Sequence, residues 1–438
     1  MKVFKFGGSS LANAKNITKV KDIIVREIKA NGKNLIVVLS AVFGITNLLF
    51  RISHNMKEGK ESNSDLKELR ITFENIINEL FYNDKLKTES LTFLEEIVNN
   101  IKNIKNESSN ITKKEEKIIV SQGEILTSYI FHNFLLQEGI DNILVSALDF
   151  MKIDEDGNPD YEFINNMCSQ IFKENNLYIT QGYICRDCVG NVDNLGRGGS
   201  DYTASIIGAS INAEEIQIWS DVSGMHNNDP RFVENTFTVN YLTFEEAAEL
   251  AYFGAKVLHP STILPAQKKS IPVILKNTFN PFAAGTVITN LITSEGFKAV
   301  AAKDNITIIQ IKSYRMLMAY GFLRKIFEVF ERYKVPVDVI TTSEVSVSLT
   351  IDDESHLEEI IQELSTFSSV EVIKNNTVIC CVGYVPKDKP GFIQKIVNLL
   401  EDIPIRMISY GSSEYNITLV IDTKNKIEAL NKLNRLFF

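Results

Sequence analysis

Two glycine-rich turns hold the residues best suited to chemistry. The first, "KFGGSS", starts at Lys5, at the end of a short apolar strand, and runs through Gly7 and Gly8. Without a Cβ, those glycines let backbone N–H groups come close to phosphate oxygens, and a helix starting after the turn adds partial positive charge. A lysine two residues before the turn can neutralise charge on a transferring phosphoryl group. Taken alone, Lys-x-Gly-Gly is equally an ordinary turn. The second, "NLGRGGSDYTA" at 194–204, surrounds Arg197 with Gly196, Gly198 and Gly199 and places Asp201 at the start of a small-residue helix. Arginine offers a planar donor fork suited to a substrate carboxylate. Asp201 reads either as a helix cap or as a carboxylate that holds Lys5 or accepts a proton. Neither turn fits G-x-x-x-x-G-K-[ST] or G-x-G-x-x-G, which disfavours a P-loop enzyme and a dinucleotide-binding fold.

Other segments have two readings each. In "WSDVSGMHNNDPRF", Asp221, Asp229 and Arg231 could flank a nucleotide and its Mg2+, or form an Asx-type turn with a surface Asp–Arg pair. Lys256 in "FGAKVLHP" is a helix-end lysine or a second phosphate contact, and His259 before Pro260 is structural. Cys185 and Cys188 form one C-x-x-C with no second pair or nearby histidine to complete a zinc site. Cys380 and Cys381 are adjacent in a strand-like run and point to opposite faces. Five cysteines in 438 residues make no disulfide framework, and no metal ligand set is assigned.

These turns need strands and helices to hold them. "KVFKFGG" and "NLIVVLSAV" read as buried strands joined by a helix at 17–29, a βαβ pattern that implies a parallel sheet. From about 55 to 116 the chain becomes rich in Lys, Glu, Asn and Ser, with Leu, Ile and Phe at helical spacing. This stretch reads as an amphipathic helical insertion that covers the domain from the solvent side. Strand and helix then alternate again, giving an α/β domain that ends near residue 290. The remainder repeats itself. Residues 321–352 align with 391–422 at a constant offset of 70, with ten of thirty-two positions identical. "ITIIQIKS" and "TVICCVGY" precede the two copies. Each unit reads as one small β-α-β-β module with a helix and strand to follow.

At this length two to four domains are expected. A net charge of −9 argues against a nucleic-acid partner. The N-terminus shows no signal-peptide pattern, and the longest apolar run is broken by Ser40, Gly44, Thr46 and Asn47, so no membrane span is expected and the cytoplasm is the default location.

Together these segments resemble the aspartate kinases of the amino-acid kinase family, nearly end to end. "KFGGSS" looks like the family's KFGGTS, "LGRGGSDYTA" like its GRGGSD-T/Y-TA, and "WSDVSGMHNNDPR" like its W-T-D-V-x-G-x-Y-x-x-DPR. "SQGEILTS" and "FGAKVLHPSTILPA" also fit, and the repeat looks like paired ACT modules. The resemblance implies a three-layer αβα kinase domain with a mostly parallel sheet over 1–292. Two ferredoxin-like βαββαβ ACT domains would follow over 293–438. It implies phosphoryl transfer from MgATP to the side-chain carboxylate of L-aspartate. Position by position, Lys5 and Asp201 would be catalytic. Thr46, Glu124, Tyr183, Arg197 and Ser200 would form the aspartate pocket, with Arg197 on the α-carboxylate and Glu124 on the α-ammonium. Gly7, Gly8 and Ser40 would line the phosphate path, and Ser220, Asp221, His226, Arg231 and Lys256 would hold ATP. Within the family the chain resembles the lysine-inhibited, single-function type. Met316, Phe322, Leu323, Val337, Asp338, Thr342, Ser343 and Glu344 would then bind lysine, and the ACT modules would join subunits into a homodimer or homotetramer. His226 stands where the family usually has Tyr, and Ala319 and Pro336 where the lysine-sensitive pattern commonly has Ser. Glutamate 5-kinase and N-acetylglutamate kinase are rival enzymes, disfavoured by the repeat and by Glu124 with Arg197. A catalytically silent amino-acid sensor is a rival of another class, disfavoured by the intact Lys5, Arg197 and Asp201.

Overall fold

The computed structural model describes residues 1–107, 111–254, 258–313 and 320–438. The chain forms two compact units, 1–225 with 257–290, and 226–256 with 291–438. In chain order the first begins β1 (Lys2–Phe6), α1 (Ala14–Asn31), β2 (Leu35–Leu39), α2 (Ile45–Lys57), α3 (Asn63–Leu80), α4 (Asp84–Glu107) and α5 (Lys113–Gln137). It continues β3 (Ile143–Val145), α6 (Tyr161–Ile171), β4 (Leu177–Gln181), β5 (Ile184–Arg186), β6 (Val192–Asn194), α7 (Gly199–Ile211) and β7 (Ile216–Ser220). After β8 (Tyr241–Thr243) and α8 (Phe244–Tyr252), which belong to the second unit, it closes with α9 (Leu264–Lys268), β9 (Val273–Asn277) and β10 (Thr286–Thr289).

Its sheet runs β3-β4-β2-β1-β7-β9-β10, parallel throughout except at the β9–β10 pair. β2 is a continuous apolar run, and β2 and β4 are buried at every residue, because both faces of the sheet are covered, as a parallel sheet requires. Alternation along each strand sorts the side chains. Phe4, Phe6, Leu35, Val37 and Leu39 enter one core with Trp219, whose ring meets Phe6 at 5.8 Å and Phe4 at 6.0 Å. Val3 and Lys5 therefore project from the opposite face, across which α7 lies.

The stretch expected as an amphipathic cover is exposed on one face and joins the core with the other. On α3, Leu66, Leu69, Phe73, Ile76 and Ile77 join the same hydrophobic cluster as Phe4 and Val37, and Leu94, Ile97 and Val98 of α4 do likewise. A helical stripe of this width looks the same in sequence whether it caps a domain or builds one.

The second unit holds both copies of the repeat in one antiparallel sheet. Its further elements are β11 (Gly296–Lys312), α10 (Phe322–Arg332), β12 (Ile340–Thr342), β13 (Ser346–Ile351), α11 (Leu357–Leu364) and β14 (Ser369–Tyr384), then α12 (Phe392–Leu399), β15 (Ile405–Ser409), β16 (Asn416–Asp422) and α13 (Lys426–Leu433). The strand order is β12-β13-β11-β14-β16-β15, with the long β11 and β14 side by side at the centre. Two clusters form, one under α10 and α11 and one under α12 and α13. Residues 226–256, expected inside the kinase domain, pack with this unit. Val233 and Phe232 join the second cluster, Asn228 donates to the Leu430 carbonyl at 3.0 Å, and Lys298 pairs with the fully buried Glu246 at 2.8 Å. Among the described residues no helix is long and apolar enough to cross a membrane.

Candidate active site

β1 sits where the sheet order reverses, since β2 lies on one side and β7 on the other. In open α/β sheets a crevice forms at the carboxyl ends of the strands at such a switch point. Here the ends of β1, β2 and β7 open on a cleft of about 480 Å3 lined by Lys5, Gly8, Ser40, Thr46, Glu124, Tyr183, Ser200, Asp201 and Asp221. Lys5 pairs in register with Val38 of β2 and Ile218 of β7, so the central strand fixes its base. Pointing toward α7, its Nζ lies 2.5 Å from Asp201 Oδ1, and both side chains are nearly buried.

Three chain reversals aim backbone donors into this cleft. The turn after β1 is held by Gly7 N–H donating to the Trp219 carbonyl at 3.1 Å. A Cβ on Gly8 would lie 3.0 Å from the Ala41 carbonyl, so the first and second turns touch because one has no side chain there. The second turn brings the N-terminus of α2 to the cleft through Gly44, whose φ of 83° favours glycine. The third is the N-terminus of α7, reached through Gly198 at φ 71°. Gly182 lets that helix approach, since any Cβ there would lie 2.5 Å from Ser200 Cβ. Unpaired amides at helix starts, beside a lysine, suit an anion with several oxygens. Tyr183, next in line, holds a left-handed φ of 70° rare for a non-glycine residue, a strain of about 1–3 kcal/mol that concentrates at functional sites.

Glu124 is the other pole. Gly123 brings α5 against Ala41, Ile45 and Leu49 and leaves the Glu124 side chain buried at the cleft wall, with Oε2 lacking a partner among the described residues. Burial pushes its carboxyl up to about 8, against the opposing effect of a backbone hydrogen bond with Ala41. In the unliganded protein it is mostly protonated at pH 7. Because the folded value lies above the unfolded value near 4.5, the folded chain holds an extra proton between the two. Stability from this group is complete below about pH 4.5 and is lost as pH rises to about 8. Melting curves across that range should show Tm of the unliganded protein falling with pH, and Glu124→Gln should flatten that slope.

Arg197 lines a second cavity of about 570 Å3, which shares Thr46, Asn47, Tyr183 and Gly196 with the first. Ser220 sits at the end of β7 and accepts from Val222 N–H at 3.3 Å. His226 and Arg231 belong to the second unit, where Arg231 makes an exposed ion pair with Asp229 at 2.6 Å. Lys256 lies outside the described residues. The turn residues Ser9 and Phe43 also line the cleft and escaped the sequence reading. Their signal was position, directly after strands adjacent to one another in a parallel sheet. Cys185 is buried and its thiol is pushed up to about 12 by that burial, the state of an inert core cysteine.

Of the residues expected to bind lysine, Met316 lies outside the described residues. Phe322 and Val337 pack on the first repeat's core, Leu323 is half-exposed, and Thr342, Ser343 and Glu344 are exposed around the β12–β13 turn. The Asp338 side chain is buried, paired with Lys303 at 3.4 Å and accepting from the Tyr252 hydroxyl.

The profile of the amino acid kinase family matches residues 1–277, and that of the ACT domain matches 379–437, a range that contains the second copy of the repeat. Aspartokinase 1 of Arabidopsis thaliana, a chloroplast protein, is 34% identical over all of this chain and 80% of its own length. The lysine-sensitive aspartokinase 3 of Escherichia coli is 32% identical over all of this chain and 99% of its own. The crystal structure of E. coli aspartokinase III with aspartate and ADP superposes with a TM-score of 0.84 at 32% identity, covering both chains completely.

Proposed function

The chain belongs to the amino acid kinase family, among the aspartokinases, and from that premise we propose how its cleft divides the work. It is an ATP-dependent kinase that transfers the γ-phosphoryl group of MgATP to the side-chain carboxylate of L-aspartate. The product is 4-phospho-L-aspartate, and the reaction serves amino-acid biosynthesis, with lysine as feedback inhibitor. The reading of individual residues rests on one observation above all: the Lys5–Asp201 pair stands at the strand-order reversal, facing the starts of α2 and α7.

In this reading the Lys5 ammonium draws charge from the γ-phosphoryl group as it leaves ADP. The amides after Gly7 and Gly8, with Ser40, line its path. The attacking oxygen belongs to a carboxylate already ionised at neutral pH, so no proton need be removed. Asp201 therefore serves by holding Lys5 rather than as a base. Arg197 takes the α-carboxylate of aspartate, Thr46, Tyr183 and Ser200 complete the pocket, and Glu124 ionises when it receives the α-ammonium. Asp221, which lines the cleft, would help to hold the Mg2+ that accompanies the nucleotide, whose charge would offset that of the phosphates. Ser220 would hold the rest of ATP. The effector amine would take over Asp338 from Lys303 and Tyr252, with Met316, Phe322, Leu323, Val337, Thr342, Ser343 and Glu344 around it. The reading places the enzyme in the cytoplasm as a dimer or tetramer joined through the ACT region.

Coupled ADP-release assays test this directly. Turnover should require aspartate, with glutamate and N-acetylglutamate inactive, and lysine should inhibit while threonine and methionine do not. Turnover on glutamate alone would overturn the substrate assignment.

A further inference from the structure

Resting on the aspartate pocket just proposed, we infer that Lys117 and Asp193 are positioning residues: their ion pair sets the distance between Arg197 and Glu124, and thereby selects an α-amino acid head. Lys117 and Glu124 are seven residues apart on α5, two turns along the same face. From that face Lys117 Nζ reaches Asp193 Oδ2 at 2.5 Å, on β6. Asp193 is mostly buried and Lys117 about a third exposed, so solvent screens this pair less than a surface one.

From Asp193 a chain of short hydrogen bonds leads to the arginine loop. Asn194 N–H donates to Asp193 Oδ1 at 2.6 Å, and Gly196 N–H donates to Asn194 Oδ1 at 3.1 Å. Gly199 N–H then donates to the Gly196 carbonyl at 3.0 Å. Arg197 lies inside this last turn, between two glycines that both hold a φ of 71°. Glycines resist displacement little, so the loop depends on its tethers. Among them are Leu195 N–H to the Tyr183 carbonyl at 2.8 Å, the pairing of β6 with β5, Tyr202 N–H to the Gly198 carbonyl at 3.0 Å, and the Lys117–Asp193 pair. Of these only the ion pair ties the loop to α5, so the helix that carries the ammonium pole also carries a peg for the carboxylate pole. Cutting the peg leaves Glu124 in place and loosens Arg197 relative to it.

Steady-state kinetics on the full chain test this. Wild type is measured first, and absence of aspartate turnover there would sink the function reading rather than this one. With wild type active, Lys117→Met and Asp193→Asn should each raise KM for aspartate about tenfold, with KM for ATP changed less than twofold. Lys117→Arg should stay within threefold of wild type. The charge swap Lys117→Asp with Asp193→Lys should regain most of the loss, and it also carries the test should a single variant fold poorly. Inhibition by β-alanine, which is aspartate without its α-carboxylate, should be equal in wild type and Asp193→Asn, because Arg197 has nothing to hold there. An unchanged KM for aspartate in both single variants would overturn the inference. So would a loss in Lys117→Met alone that the swap does not recover, which would make Lys117 a direct substrate contact.

Discussion

Replacing Lys5 with alanine should lower kcat for aspartate phosphorylation by at least about a hundredfold, the loss expected when a group aimed at transition-state charge is removed. The central strand holds the base of this side chain and Asp201 holds its tip, so the ammonium is in place before substrates arrive. Alanine also strands the Asp201 carboxylate in a nearly buried position, which costs stability. The double variant Lys5→Ala with Asp201→Asn separates the two effects. It should melt close to wild type and remain as inactive as Lys5→Ala. Lys5→Arg should not restore the rate, since a guanidinium fork cannot replace a point charge at the end of a strand. Coupled ADP release gives kcat and thermal melting gives stability. A Lys5→Ala enzyme within tenfold of wild type would remove Lys5 from the chemistry.

The largest effect on stability should come from a residue remote from the cleft. Phe73→Ala should destabilise the protein by about 3–5 kcal/mol, the cost of emptying a fully enclosed aromatic site. Phe73 is 0% exposed on α3 and belongs to the cluster that contains Phe4, Phe6 and Trp219. Its solvent-facing neighbour Asn75 should tolerate alanine within about 0.5 kcal/mol. Urea denaturation of the two variants measures the contrast. Equal midpoints would mean that α3 is a detachable cover, as its composition suggests.

The chemistry was more legible in the sequence than the packing. Lys5 and Asp201 each had an ordinary reading alone, as a turn lysine and a helix cap, and it was the several motifs in order that placed them in one site; they lie 2.5 Å apart. The repeat could be read because a constant offset survives substitution at most positions. The helices at 63–107 were read as a cover, and how far they contribute to the core was not legible, since an apolar stripe records its own width and not what it faces. The stretch 226–256 gave no sign of its partner unit either. It is turn-rich and aperiodic, and the buried groups that tie it there, Asn228 and Glu246, are polar. Arg197 lines the cavity adjoining that of Lys5, which shares Thr46, Asn47, Tyr183 and Gly196 with it, and the left-handed backbone of Gly196 and Gly198 that flanks it is not specified by the residue pattern.

The central pairing of β11 with β14 means that the two halves of the repeat are stitched rather than strung together. Partner residues run from Gly296 with Tyr384 to Lys312 with Ser369, so each half supplies the other's inner neighbour. Truncation before residue 369 would leave β11 with an uncovered flank of amides and carbonyls, a template for aggregation. Hydrogen exchange along β11 and β14 should accordingly slow and quicken in concert, as one cooperative block that opens all at once or not at all.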